Sequence, residues 1–326
     1  MKTVIRTNPR DPLQPVGLVG LDLTGCGIAS CLLAQGLEVA AYNHAASRTQ
    51  ASVAQIDVAL RELARRAIVP LRRLRGWRRR LHLVTSIAEL APCPFVIEAL
   101  PENLPLKRRL YDELEDHVPA GTVIASNTSS FPIALLQDGR KHPARFIVMH
   151  WGEPAQIMRY LEVIPGRRAS PRTLRLVRRL GEICGKEPTV LREDIRGFLS
   201  NRMMYAMIRE ALHLVEAGVA DVETVDRSFR NDIGWWALLA GPFRWMDLTG
   251  IPAYQVVMEG LLPKLCNDKK VSRVMRDTVA RGAQGIANAK GFYPYTKASA
   301  KRWEKNWIDF TYDVRKLADK YARRGG

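Results

Sequence analysis

Two glycines, Gly20 and Gly25, lie between an apolar run and a helical one in "VGLVGLDLTGCGIA", Val16 to Ala29. At such a place a strand turns into a helix and offers backbone amides to a phosphate. In the turn G-x-G-x-x-G the first glycine makes the tight bend, the second lets the backbone approach a pyrophosphate, and the third lets the helix pack on the strand. Gly20 and Gly25 take the first and third places, and Asp22 takes the second. The loop Gly20, Leu21, Asp22, Leu23, Thr24, Gly25 is therefore expected to hold a dinucleotide with one altered contact. The Asp22 carboxylate must point away from the pyrophosphate, bond neighbouring amides, or reach it through water or a cation. The same pattern also builds purely structural corners, so the loop alone is weak. About twenty residues further on, Asn43 stands where an acidic residue would usually accept the adenosine 2'-hydroxyl. A neutral Asn can still bond that hydroxyl, and it removes the repulsion against a 2'-phosphate that Arg48 could pair with. NAD is the expected cofactor with NADP left open; a strand-end Asn and a surface Arg are the structural alternative.

The elements that must position this loop alternate along the first half. "VGLVGL" and "EVAAYN" read as strands flanking a helix, "GIASCLLAQG", that stops near Gly36. "FVIEAL", "TVIASN", "RFIVMHW" and "YLEVIPG" read as further strands, with an amphipathic helix in "PENLPLKRRLYDELEDHV". This order predicts a doubly wound, mostly parallel α/β sheet of the Rossmann type over residues 1–193, with ligands at the carboxyl ends of its strands. From 194 to 326 the pattern turns helical, beginning with "GFLSNRMMYAMIREALHLVEAG", which predicts an all-helical second domain for substrate and dimerisation.

Composition narrows the partners. The 326 residues are 47% hydrophobic and 25% charged, ordinary for a globular chain. No apolar run approaches the roughly 18–20 residues of a membrane span, and the N-terminal stretch lacks the apolar core of a signal peptide, so a cytoplasmic protein is expected. Five scattered cysteines without paired zinc spacing suggest reduced thiols and no metal site. Fifty Lys and Arg against 33 Asp and Glu leave a net charge of +17, favouring anionic partners. Much of it lies in "RELARRAIVPLRRLRGWRRR", Arg61 to Arg80. A solvated helical face, a phosphorylated ligand and nucleic acid all fit such a run; only Trp77 is interleaved for base stacking, which counts against nucleic acid.

A series of ordered stretches is more specific. "VIEALPENLPLKRRLYDEL", "IASNTSSFPI", "HWGEP", "MRYLEVIPG", "GFLSNRMMYAMIREALHLVEAG", "GPFRWMDLTG" and "GFYPY" follow one another as in the 3-hydroxyacyl-CoA dehydrogenase family, which the chain resembles from Val16 to Tyr295. The resemblance implies that His150 is the catalytic histidine and that Glu162, twelve residues on, orients it. The chemistry suits the pairing: oxidising a secondary alcohol needs a base of near-neutral pKa, and a carboxylate fixes its tautomer and stabilises the imidazolium. It further implies that Ser129 and Asn201 bind the reacting oxygen, that Glu98 and Glu102 lie beside the nicotinamide, and that Asn127 belongs to the cofactor site. Outside the family context, Ser129 would read as a helix cap, Asn201 as a buried amide and Glu98 as a strand anchor. The arginine run then corresponds to a projection near coenzyme A phosphates.

The chain also departs from the family. Trp151, Gly152 and Glu153 stand between His150 and Pro154, where the family reads roughly Phe-x-Asn, and this puts substrate choice in doubt. A carboxylate at Glu153 could favour protonated His150 or select a cationic or hydroxylated substrate. Trp235 and Trp236 add bulk to the acyl pocket, or serve as core or dimer interface. The expected function is NAD(P)-dependent interconversion of a 3-hydroxyacyl-CoA and its 3-keto partner by a homodimer. A dehydrogenase of a non-CoA hydroxy or sugar acid, and a non-catalytic relative with an impaired cofactor site, stand as alternatives.

Overall fold

The computed structural model describes residues 13–322 and divides into two compact units, Met1–Ser200 and Asn201–Gly326. In the first, eight strands form one sheet: β1 (Val16–Val19), β2 (Val39–Tyr42), β3 (Leu81–Val84), β4 (Phe95–Glu98), β5 (Val123–Ser126), β6 (Phe146–Trp151), β7 (Tyr160–Ile164) and β8 (Glu187–Val190). Their spatial order is β3-β2-β1-β4-β5-β6-β7-β8, parallel throughout except at β6–β7. The order reverses at β1, which pairs with both β2 and β4, so the crevice of a doubly wound sheet opens where the glycine loop leaves β1. Every residue of β1, β4 and β5 is buried, as parallel strands covered on both faces must be.

The helices of this unit are α1 (Leu23–Ala34), α2 (Thr49–Arg65), α3 (Leu71–Leu74), α4 (Trp77–Arg80), α5 (Leu104–His117), α6 (Ile133–Gln137) and α7 (Pro171–Ile183). Buried from Gly25 to Ala34, α1 carries small and apolar residues on every side. By contrast α5 buries only Lys107, Leu110, Tyr111 and Leu114, one face at helical spacing. The basic run is not one helix: Pro70 and left-handed Gly76 divide it into the end of α2 and the short α3 and α4. The second unit is helical: α8 (Ser200–Glu216), α9 (Val222–Asn231), α10 (Ile233–Ala237), α11 (Pro242–Thr249), α12 (Ile251–Leu261), α13 (Arg273–Ala280) and α14 (Lys297–Ala322).

Strands β3 and β8 are absent from the sequence reading. "LHLV" follows an arginine helix without a turn residue, and "EPTV" carries an internal proline. That proline is tolerated because β8 is an edge strand, pairing only with β7.

Candidate active site

The glycine loop is built as its spacing requires. Gly20 has φ +102°, and a Cβ there would lie 2.6 Å from the Ala99 carbonyl oxygen. A Cβ on Gly25 would come within 2.2 Å of the Gly20 carbonyl oxygen, so the start of α1 could not pack on the turn with any side chain. Asp22 needs no glycine, because its φ is an ordinary −79°, and it serves as the N-cap of α1. Its Oδ1 accepts a 3.4 Å bond from the Gly25 amide, and its carbonyl accepts one from Cys26. The bonding of a neighbouring amide is thus the course Asp22 takes. A capping carboxylate occupies an amide that a phosphate would otherwise use. The loop fits a dinucleotide with this one donor diverted.

Asn43 closes β2, its Oδ1 accepting from the Ala45 amide at 3.2 Å in a local turn, and Arg48 is exposed at the head of α2. Neither makes a contact that decides between NAD and NADP.

Two polar clusters stand at the strand ends beyond the crevice. In one, the Thr128 hydroxyl, the Ser129 amide (2.6 Å) and the Ser129 hydroxyl (3.3 Å) all donate to the Glu102 carboxylate. Ser129 caps no helix: α6 starts after Pro132, and its first free amides, Ile133 and Ala134, bond Asp194 instead. Asn127 leads towards the second cluster, its amide bonded to the Glu98 carbonyl and its Oδ1 accepting from the Trp151 amide at 2.9 Å.

The second cluster centres on Glu162, whose side chain is 1% exposed. The antiparallel pairing of β6 and β7 sets His150 directly opposite Glu162 in the ladder. His150 Nδ1 lies 3.1 Å from Glu162 Oε2, and Tyr160 presents its hydroxyl to both, 2.5 Å from that oxygen and 3.1 Å from Nδ1. Glu162 Oε1 accepts from the Leu199 and Ser200 amides at 3.0 and 2.8 Å. Left-handed Gly197 and Phe198 (φ 81° and 52°) turn the chain so that these two amides converge. Phe198 is fully buried and its ring packs 5.6 Å from the His150 ring. Burial alone would push the Glu162 carboxyl up, but bonds from His150, Tyr160 and the Ser200 amide outweigh it and hold the group below its ordinary range. Burial and the Glu162 charge push the Tyr160 phenol well up, so it stays neutral. With Nδ1 turned to Glu162 and Tyr160, Nε2 is the nitrogen left to exchange a proton with a ligand.

Tyr160 is the residue that the sequence reading missed. Its signal was the quoted "MRYLEV": a residue two before the glutamate on the same strand shares its face.

Glu98 plays a different part. Its fully buried carboxylate takes four bonds, from the Leu100 amide, Lys107 Nζ (2.6 Å), Tyr111 Oη and Ser126 Oγ, and so ties the ends of β4 and β5 to α5. Glu153 precedes Pro154 in the loop after β6, where Lys186 Nζ holds the Ala155 and Met158 carbonyls. Burial, opposed by a bond from Thr24 and reinforced by Asp22, raises the Glu153 carboxyl, which places it against the glycine loop. Asn201 is the first residue of the second unit, next in sequence to Ser200.

A doubly wound sheet whose crevice opens at a glycine turn is the architecture of a dinucleotide-binding domain. The 3-hydroxyacyl-CoA dehydrogenase NAD binding domain matches residues 15–195 and the C-terminal domain of the same family matches 197–295, so the chain belongs to the 3-hydroxyacyl-CoA dehydrogenase family. A 5-formyl-3-hydroxy-2-methylpyridine 4-carboxylate 5-dehydrogenase from Mesorhizobium japonicum is 34% identical over 63% of this chain and 67% of its own. A probable 3-hydroxybutyryl-CoA dehydrogenase from Deinococcus radiodurans is 36% identical over 66% and 77%. A crystal structure of a 5-formyl-3-hydroxy-2-methylpyridine 4-carboxylic acid 5-dehydrogenase, described as an NAD+ dependent dismutase, superposes with a TM-score of 0.87 at 30% identity, over 93% of this chain and 98% of that one. The protein is an NAD-dependent dehydrogenase of this family, and its relatives are named for substrates both with and without coenzyme A. Among the described residues no helix is long and apolar enough to cross a membrane.

Proposed function

We propose that the protein interconverts a 3-hydroxyacyl-CoA and its 3-keto partner, with His150 as general base in oxidation and general acid in reduction. The observation that carries this reading is the His150–Glu162–Tyr160 cluster, which commits Nδ1 and leaves Nε2 free to take the hydroxyl proton. The Glu162 carboxylate, ionised and held by two amides, fixes the tautomer and stabilises the imidazolium that results. The loop Gly20 to Gly25, with Asn43, Glu102 and Asn127, would hold NAD, which would serve as the hydride acceptor when bound. Arg48 would pair with a 2'-phosphate if NADP were used instead. Ser129, by turning its hydroxyl from Glu102, and Asn201 would donate to the substrate oxygen, where two neutral donors oppose the charge that develops there. The second unit supports a homodimer: α8 to α12 bury none of their residues, and Met207, Trp235, Phe243 and Val256 are among large apolar side chains left exposed.

For coenzyme A, the support is the basic surface of α2 to α4, although several of its arginines are already engaged. Arg65 and Arg66 pair with Glu62, Arg61 and Arg78 with Asp57, and Arg80 donates to the Leu33, Arg73 and Arg75 carbonyls. The test compares NADH-dependent reduction of acetoacetyl-CoA with that of acetoacetate, which offers the same carbonyl without the carrier. A kcat/KM at least about 100-fold higher for the CoA ester is expected, since remote binding energy is spent at the reacting centre. Equal values would refute the CoA reading and favour a substrate without coenzyme A, as the name of the Mesorhizobium japonicum relative gives for that protein. His150→Gln should lower kcat by about 10²–10⁴-fold with the fold retained.

A further inference from the structure

In the helical unit, His213, Cys266 and Asp268 bring an imidazole nitrogen, a thiol sulfur and a carboxylate oxygen within 4.8 Å of one another. From this juxtaposition we propose that the three residues form a zinc site with one open position, separate in role from the dehydrogenase chemistry.

The donor set selects the metal. Thiolate, imidazole and carboxylate together suit zinc, whereas calcium and magnesium take oxygen alone. Donors around a tetrahedral zinc lie about 3.5 Å apart, so the three need to close by about 1 Å, within the reach of side-chain rotation. The backbone is already arranged for it. The segment Cys266 to Arg273 is laced onto α8 on both sides of His213: Glu210 accepts from the Cys266 amide at 2.8 Å, and Glu216 accepts from the Ser272 hydroxyl and the Arg273 amide. His213 lies three residues from each glutamate, on the same face of α8.

Charge and space set the fourth position. Binding releases the Cys266 thiol proton to solvent, and a zinc dication with one thiolate and one carboxylate is then neutral. The site lines a pocket of about 380 Å³ whose wall also holds Arg209, Lys269 and Lys270 against the single further carboxylate of Glu216. That rim opposes a bare cation but favours an anion on the neutral, loaded site, so the open position is suited to hydroxide or a carboxylate-bearing ligand. No sequence spacing could have shown this, because His213 and Cys266 are 53 residues apart.

Calorimetric titration of chelator-treated, full-length protein with zinc chloride is expected to give one site per chain with Kd below about 0.1 mM. Cobalt(II) should produce a thiolate-to-metal absorption band. Cys266→Ser and His213→Ala should each weaken zinc at least tenfold, and Cys266→Ser should abolish the band. Asp268→Asn, at an exposed ligand, repeats the affinity test should either of those variants misfold. Absence of zinc binding in the wild type, unchanged affinity in Cys266→Ser, or cobalt bound without the thiolate band would each overturn the proposal.

Discussion

Replacing Tyr160 with Phe removes one hydroxyl from the cluster around Glu162 and should move the pH dependence of oxidation upward. Glu162 accepts four bonds, and the Tyr160 hydroxyl, at 2.5 Å, makes the shortest of them, to the same oxygen that faces His150. Each donor takes up part of the carboxylate charge that would otherwise act on the imidazolium. A hydrogen bond to a charged group is worth about 1.5–3 kcal/mol. With three donors left to share what is released, a third to a half of that, about 0.5–1.5 kcal/mol, should pass to the His150 contact. At 1.36 kcal/mol per unit this shifts the acid limb of kcat/KM for oxidation up by about 0.4–1.1 pH units. The phenol oxygen is also a neutral acceptor near Nδ1, and its loss acts in the opposite sense, but more weakly than a carboxylate does. The phenol itself stays neutral and adds no limb of its own. The assay is initial-rate kinetics of hydroxy-substrate oxidation from pH 5.5 to 9.5 at saturating NAD, with the variant's fold checked by circular dichroism. An acid limb that stays put or falls, or an equal loss of activity at every pH with a raised KM, would refute the sharing of Glu162.

Three further outcomes follow from the site and its support. Asp22→Gly should tighten NADH about 3–10-fold by calorimetry, since the Gly25 amide is freed and a carboxylate removed, while thermal stability falls by only a few tenths of a kcal/mol. Glu153, raised by burial with Asp22 nearby, ionises only above the ordinary carboxylate range; NADH affinity should therefore weaken as pH climbs through that ionisation, and Glu153→Gln should flatten the dependence. Lys107→Met would strand the buried Glu98 carboxylate without its cation, and urea unfolding should report a loss of about 3–5 kcal/mol.

The pieces legible in the sequence are those fixed by local chemistry. Gly20 and Gly25 announced the turn because the backbone approaches there exclude any side chain, and the strand in "VGLVGL" was apolar throughout because both faces are covered. Asp22 was readable as a departure, but its place as the α1 cap depends on the φ/ψ of one residue. Edge strands β3 and β8 escaped because they lack the buried pattern that identifies inner strands. Tyr160 escaped for a different reason: its role exists only once β7 lies antiparallel to β6, a pairing that no composition of "MRYLEV" implies. The arginine run was legible as charge but not as pairing, since several of its guanidinium groups bond Glu62, Asp57 and backbone carbonyls.

The β6–β7 reversal separates two jobs that might have interfered. His150 and Glu162 face each other as one rung of the ladder, and their distance is set by the spacing between neighbouring strands, not by the residues joining them. A change of charge at Glu153, in the connection that follows, therefore leaves the spacing of the rung as it is. A slip of register by a single residue would be the costly change, because it would turn both side chains to opposite faces at once.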